Sequence, residues 1–237
     1  MRTAFALAIL LVSAPAAAAQ PGGIAPSRAT YSARAELRGG GAQDLGTREI
    51  TISDTTVGGT RAWLVVNAFE AEGMRGVDSV LMRAADLAPI SRRAVIGSSK
   101  LSVDARDGML VGTLKSPRGT VPISLRAGDR AFMNYYALRT ALRAWPLAAG
   151  WRGTAGMMEL NGRTELTPLE LVVDGDERVR VAAGEFDCWR VHVTSPAGID
   201  ERYWVSKNGG HVVRTREPIG DAGAMMQLDL TALAPAP

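Results

Sequence analysis

Cys188 and His192 are the residues of this 237-residue chain whose types come nearest to a nucleophile and its base. On a strand, four residues at ~3.3 Å each separate them by about 13 Å, so they share a face without touching. They read as a buried thiol and a separate histidine. His192 and His211 could meet Asp187, Asp200 or Glu201, but the chain lacks the His-x-His or His-Glu-x-x-His spacing that aims two imidazoles at one ion. No metal is expected. Ser98-Ser99-Lys100 holds the elements of a serine and lysine pair without the Ser-x-x-Lys spacing that puts both on one helical face, and no Gly-x-Ser-x-Gly turn occurs. Gly39-Gly40-Gly41 runs into Ala42-Gln43-Asp44 instead of the Gly-Lys-Ser/Thr ending of a phosphate loop, which leaves a hairpin tip. Asp174, Asp176 and Glu177 fit a solvated turn, where nothing apolar raises a carboxyl pKa for glycosidic chemistry. These absences point away from an enzyme, and no cofactor is expected.

The remaining candidate is apolar surface. Nine Met, among them the pairs Met157-Met158 and Met225-Met226, accompany Trp145, Trp151, Trp189 and Trp204. Such side chains either fill a core or line an adaptable groove for a lipophilic guest, since thioethers repack readily. For the second reading the candidate ligand-binding residues are Tyr135, Leu138, Leu142, Trp145, Met157 and Trp204. The sequence leaves both readings open.

Most of these residues must be carried by strands. Gly58-Gly59, Asp107-Gly108, Asn161-Gly162, Asp174-Gly175 and Asn208-Gly209 each separate short β-favouring runs, and such pairs tolerate the positive φ of tight hairpins. The runs include 31–37, 49–53, 61–69, 79–84, 101–105, 120–125, 165–173, 188–194, 201–206, 212–215 and 226–230. Their spacing predicts a mainly β fold, an antiparallel meander curved into a half-barrel or open barrel. Over 131–145, Tyr135, Leu138, Leu142 and Trp145 recur at helical spacing while Asn134, Arg139 and Arg143 fall elsewhere on the wheel. This predicts one amphipathic helix, stopped by Pro146 and packed on the concave face.

Residues 1–19 read as a secretory signal peptide: Arg2, an apolar run over 4–12, and Ala17-Ala18-Ala19 before a cleavage site near Ala19. The apolar run is too short for a span of about 20 residues, so no transmembrane anchor is expected and the address is periplasmic. Segments 20–30 and 232–237 are expected to be flexible, flanking a single β-rich domain over 31–231. One Cys excludes an internal disulfide, and 27 basic residues interspersed with 24 acidic ones give a net charge of only +3. That balance is no nucleic-acid footprint.

The segment Val181-Ala182-Ala183-Gly184-Glu185-Phe186-Asp187-Cys188-Trp189-Arg190-Val191 is followed by Arg202-Tyr203-Trp204-Val205 and Val212-Val213-Arg214. With Leu147-Ala148-Ala149-Gly150 and Asp86-Leu87-Ala88-Pro89-Ile90 upstream, it resembles the exported bacterial family catalogued as domain of unknown function 3108 (DUF3108), over about 80–217. The resemblance implies a strongly curved antiparallel sheet, similar in outline to the half-barrels of periplasmic lipoprotein carriers, and brings no catalytic residues. The expected function is a non-enzymatic envelope module binding a lipid or other lipophilic molecule. The alternative is a structural or adaptor module that binds another envelope protein through a strand edge or its Arg-rich surface.

Overall fold

In the first strand Ser27, Ala29, Tyr31, Ala33 and Ala35 are buried, while Arg28, Ser32 and Arg34 between them are exposed. A period of two is what a strand with one covered face requires, and it recurs along the chain. The computed structural model describes residues 23–71, 74–128, 130–160, 164–219 and 224–236, so the expected signal peptide lies outside them. The strands of the N-terminal half are β1 (Ser27–Glu36), β2 (Ala42–Val57), β3 (Thr60–Ala71), β4 (Met74–Arg83), β5 (Pro89–Ile96), β6 (Ser99–Arg106), β7 (Met109–Ser116) and β8 (Gly119–Arg126). After β9 (Ala131–Phe132) and the helix α1 (Tyr135–Leu142) come β10 (Arg152–Glu159), β11 (Glu165–Val181), β12 (Gly184–Thr194), β13 (Asp200–Ser206), β14 (Val212–Ile219) and β15 (Ala224–Ala234).

All belong to one curved sheet, ordered β8-β7-β6-β5-β4-β3-β2-β1-β15-β14-β13-β12-β11-β10-β9. Each strand pairs antiparallel with its neighbour, except the two-residue β9, which runs parallel to β10. The sheet is not closed. Its edges are β8 and β9, which four residues of chain separate, so at up to ~3.6 Å per residue both edges come together at one end. Pairing of β1 with β15 aligns Arg28 with Ala234. Residues 27–30 and 232–234, expected to be loose, are thus strand, because each end supplies the other's backbone partners.

The pairs Gly58-Gly59, Asp107-Gly108 and Asn208-Gly209 lie in hairpin turns, and Asn161-Gly162 lies outside the described residues. Asp174-Gly175 does not turn the chain. It is a bulge within β11, where register slips between Val173 and Gly175, and the turn comes at Ala182-Ala183. Strands β5 and β7 fall where the sequence reading placed none.

The helix spans eight residues, not fifteen. Asn134 caps it by accepting the Ala137 N–H through Oδ1 at 2.8 Å, and Ala131 and Phe132 before it are held as strand by β10. Ala137, Leu138, Ala141 and Leu142 share one core cluster with inward residues from both halves of the sheet, including Tyr31, Trp63, Leu110, Leu171 and Leu228. The helix therefore fills the concavity. Its polar face is covered too: Arg139 keeps 5% and Arg143 9% of its surface. A simple amphipathic wheel does not anticipate this, because the sheet curves around both sides of α1.

Leu138→Ala should lower the unfolding free energy by about 2–5 kcal/mol in urea, the loss expected for a leucine with no exposed surface. A cost below about 1 kcal/mol would mean that the helix is not clamped in the sheet.

Candidate functional site

The burial of α1 forces charged groups to find partners inside the sheet. Arg139 donates through Nη2 to Glu217 of β14, whose Oε1 also accepts from Thr215 Oγ1 at 3.0 Å. The Arg139 guanidinium carbon lies 5.1 Å from the ring centre of Tyr136 and 5.4 Å from that of Tyr203, within reach of cation–π attraction. Arg48 of β2 donates to the Tyr136 hydroxyl at 2.9 Å. Tyr203 donates to Glu201 on the same strand, and Tyr135 donates to Glu159 at 2.6 Å. Arg92 of β5 pairs with the buried Asp78 of β4 at 2.7 Å and donates to the Met133 carbonyl just before the helix. These contacts tie α1 to strands on both sides.

Glu201 is the exceptional group in this layer. Burial first, and the nearby Glu217 second, push its carboxyl up to about 8, against the lowering effects of the Tyr203 hydroxyl and Arg139. It is therefore mainly protonated at neutral pH.

Open space lies elsewhere. A cleft of about 660 Å³ sits at the end where the sheet edges meet, bounded by the 84–88 connection, the β6–β7 turn, the β8–β9 connection and Trp145. Leu87, Ile90, Met109, Phe132 and Trp145 line it, and Arg83, Arg106 and Arg130 stand among its polar residues. Phe132 and Trp145 meet edge to face at 6.0 Å, and Trp145 stacks on Trp151 at 5.5 Å. Among the described residues the non-glycine positions with positive φ are Leu87, Asp107 and Arg130, and all three line this cleft. A β-turn accounts for Asp107. Leu87 closes the β4–β5 turn, its N–H donating to the Arg83 carbonyl at 2.9 Å, and Arg130 lies in the turn before β9, so turn geometry accounts for these two as well.

The residues singled out from sequence do not converge. Leu138, Leu142 and Met157 are packed in the core. Tyr135 is half-buried against Glu159, and Trp145 forms a wall of the 660 Å³ cleft. Trp204 lies on the opposite face of the sheet, in a small cluster with Val179, Cys188 and Val213, and donates to Glu177 at 2.9 Å. His192 meets Asp200 at 2.9 Å, whereas His211 lies against α1. The Cys188 thiol is pushed up to about 12, chiefly by burial and then by Asp187 and Glu177, which leaves it protonated and unreactive. Sequence reasoning put Arg139 and Arg143 on the polar side of the helix, weighed Glu201 only as a metal ligand, and passed over Glu217. For Glu201 the signal was odd-even phase: 201, 203 and 205 share a face, so Glu201 follows the buried Tyr203 inward.

A family model described as protein of unknown function (DUF3108) matches residues 30–229. The chain belongs to this family. The match to DUF3108 extends the sequence resemblance across both halves of the sheet. No curated protein matches the chain. Among solved structures, the DUF3108 chain is similar to a protein described as exported, with YmcC-like fold, from Bacteroides fragilis: identity is 11% over 92% of this chain and 99% of that one, with a TM-score of 0.37. It is also similar to the hypothetical lipoprotein YmcC from Escherichia coli, at 15% identity over 92% and 88% of the two chains, TM-score 0.35. A domain from Vibrio parahaemolyticus described as an outer membrane lipoprotein-sorting protein matches at 10% identity over 91% and 86%, TM-score 0.29. No helix among the described residues is long and apolar enough to cross a membrane.

The raised carboxyl of Glu201 sets a pH dependence. The unfolded chain releases this proton near the ordinary value of 4.5, whereas the folded chain keeps it to about pH 8, so stability falls as pH rises between those values and then levels. Urea midpoints at intervals from about pH 6.5 to 9, above the range where the buried His211 contributes an opposite slope, should show the decline in the native protein and a flatter profile in Glu201→Gln. Parallel profiles would contradict the assignment.

Proposed function

We propose that this DUF3108 chain is a non-enzymatic, periplasmic binding module that holds a lipophilic molecule in the cleft where the two sheet edges meet. The observation that carries this reading is the convergence of Leu87, Ile90, Met109, Phe132 and Trp145 on one open cleft whose remaining lining is polar. A cleft of about 660 Å³ falls within the ~300–1,000 Å³ range of small-molecule sites. Trp145 and Phe132 form its apolar walls together with Leu87, Ile90 and Met109.

The chemistry of the walls favours an acyl chain. Each methylene that leaves water for such a surface contributes ~0.8 kcal/mol, so a chain of modest length binds without any reactive group. Arg83 and Arg106 are held by Asp86 at 2.6 Å and Asp104 at 3.3 Å, which sets hydrogen-bonding groups where a polar head would emerge. The site hypothesis keeps Trp145 from the sequence-derived residues and moves the guest from beneath the helix to the end of the sheet. The helix underside is occupied by the core itself.

An adaptor role has one observation in its favour. Among the described residues β8 hydrogen-bonds only to β7, and its Val121 is 48% exposed, so one strand edge is available for pairing. Crosslinking from position 121 in cells, with recovery of a single stoichiometric protein, would support that role.

Displacement of a fluorescent fatty acid tests the cleft. The native protein should take up the probe, and Ala127→Trp, which fills the cleft from its margin, should weaken uptake by about tenfold or more, equivalent to ~1.4 kcal/mol. Native mass spectrometry of protein from its host should show acyl species. A clean unliganded mass, together with no uptake of the probe, would rule the reading out.

A further inference from the structure

Arg143 is a buried cation whose charge no acid among the described residues balances. It directly follows α1, keeps 9% of its surface, and donates one side-chain hydrogen bond, from Nη1 to the neutral Ser27 Oγ at 2.9 Å. Its Nε is buried with no partner among the described residues. One turn earlier Arg139 engages Glu217 through Nη2 but leaves Nε and Nη1 buried with no partner among the described residues. A spacing of four puts both guanidinium groups on one helix face. Residues 1–22, which lead toward Ser27, contain no Asp or Glu.

Both arginines line a cavity between α1 and strands β1, β2 and β14. Ala29, Ile50, Ile52 and Val212 give it apolar walls, and its volume of about 30 Å³ admits only a group of a few atoms. The Tyr31 hydroxyl is already committed to the Val212 carbonyl at 2.8 Å. His211, also on the wall, is shifted down to about 4 by burial and then by Arg143, so it is neutral at physiological pH. Carbonyls at the end of α1 offset a little of the charge, but a helix terminus contributes only ~0.3–1 kcal/mol. A neutral water would accept the orphaned N–H groups and leave the charge uncompensated. An anion does both.

We propose that Arg143, supported by Arg139, holds a carboxylate in this cavity. The planar group suits two guanidinium donors, and charge-assisted hydrogen bonds of this kind are about twice as strong as neutral ones. The site is distinct from the cleft at the sheet edges and does not depend on that cleft holding a lipid. Arg143 also borders a second cleft of about 380 Å³, lined on its apolar side by Leu142, Trp145, Leu147 and Trp189. The carboxylate is therefore either a free small acid or the head of a fatty acid whose chain occupies that second cleft.

Line broadening of carbon-13 acetate by the full-length protein is the direct test. The native protein should broaden the signal, and Arg143→Gln should weaken binding by about tenfold or more, the loss expected for one hydrogen bond to a charged group. Displacement of the acetate by palmitate identifies a fatty-acid head; retention of it identifies a small acid. Should Arg143→Gln fail to fold, Ser27→Asp serves instead. It places a carboxylate beside Arg143, and should abolish acetate broadening while raising the thermal midpoint. Ala127→Trp should leave acetate binding unchanged. Absence of broadening in the native protein, or equal broadening in all three variants, would overturn the proposal.

Discussion

A guanidinium taken out of water costs several kcal/mol unless it is paired and hydrogen-bonded, and Arg139 places that demand at the centre of this molecule. Its pairing with Glu217, the Thr215 hydroxyl on the same carboxylate, and the rings of Tyr136 and Tyr203 meet most of it. In meeting it they fix how α1 lies against β13 and β14. On the other side, Arg92 and Asp78 hold the chain just ahead of the helix. The helix is thus located by ionic contacts at two places and filled in by Leu138 and Leu142 between them. Apolar packing alone would allow the short helix to slide, because hydrophobic burial carries no direction.

That arrangement explains where space is left. Core side chains consume most of the interior between helix and sheet; among the described residues, space remains at the end where the edges meet, beside the arginine that follows the helix, and in the cleft that Trp189 borders. A sheet of fifteen strands has enough circumference to surround α1, and the strand bulges at Thr30, Ser32 and Val173 supply the bending.

Much of this architecture was legible from the residues. Pairs such as Asp107-Gly108 mark real hairpins because positive φ is cheap there. Asp174-Gly175 looks the same on paper, but its neighbours extend the pairing of β11 with β12, and one extra residue is absorbed as a bulge. Strand β7 escaped notice since Gly112 interrupts it. A methyl there would approach the Ser102 carbonyl oxygen to 2.0 Å, so the glycine permits close strand contact and does not break the strand. The candidate sites were the least legible part. Arg139 and Arg143 read as the wet side of a helix because a wheel assumes water on one side, and nothing local records that a sheet wraps around it. The edge cleft is equally non-local: Leu87, Met109, Arg130 and Trp145 come from four separate segments of the chain.

The partnership of β1 with β15 has a consequence for the order in which the molecule is built. Thr30 accepts a hydrogen bond from Thr231, 201 positions later, in the middle of the sheet. During synthesis β1 therefore waits beside an empty place until its far neighbour emerges, with one row of backbone groups uncovered for most of that interval. Such distant pairings come late in folding. The two half-sheets can each zip up strand by strand, yet the whole becomes continuous only when its final strand arrives.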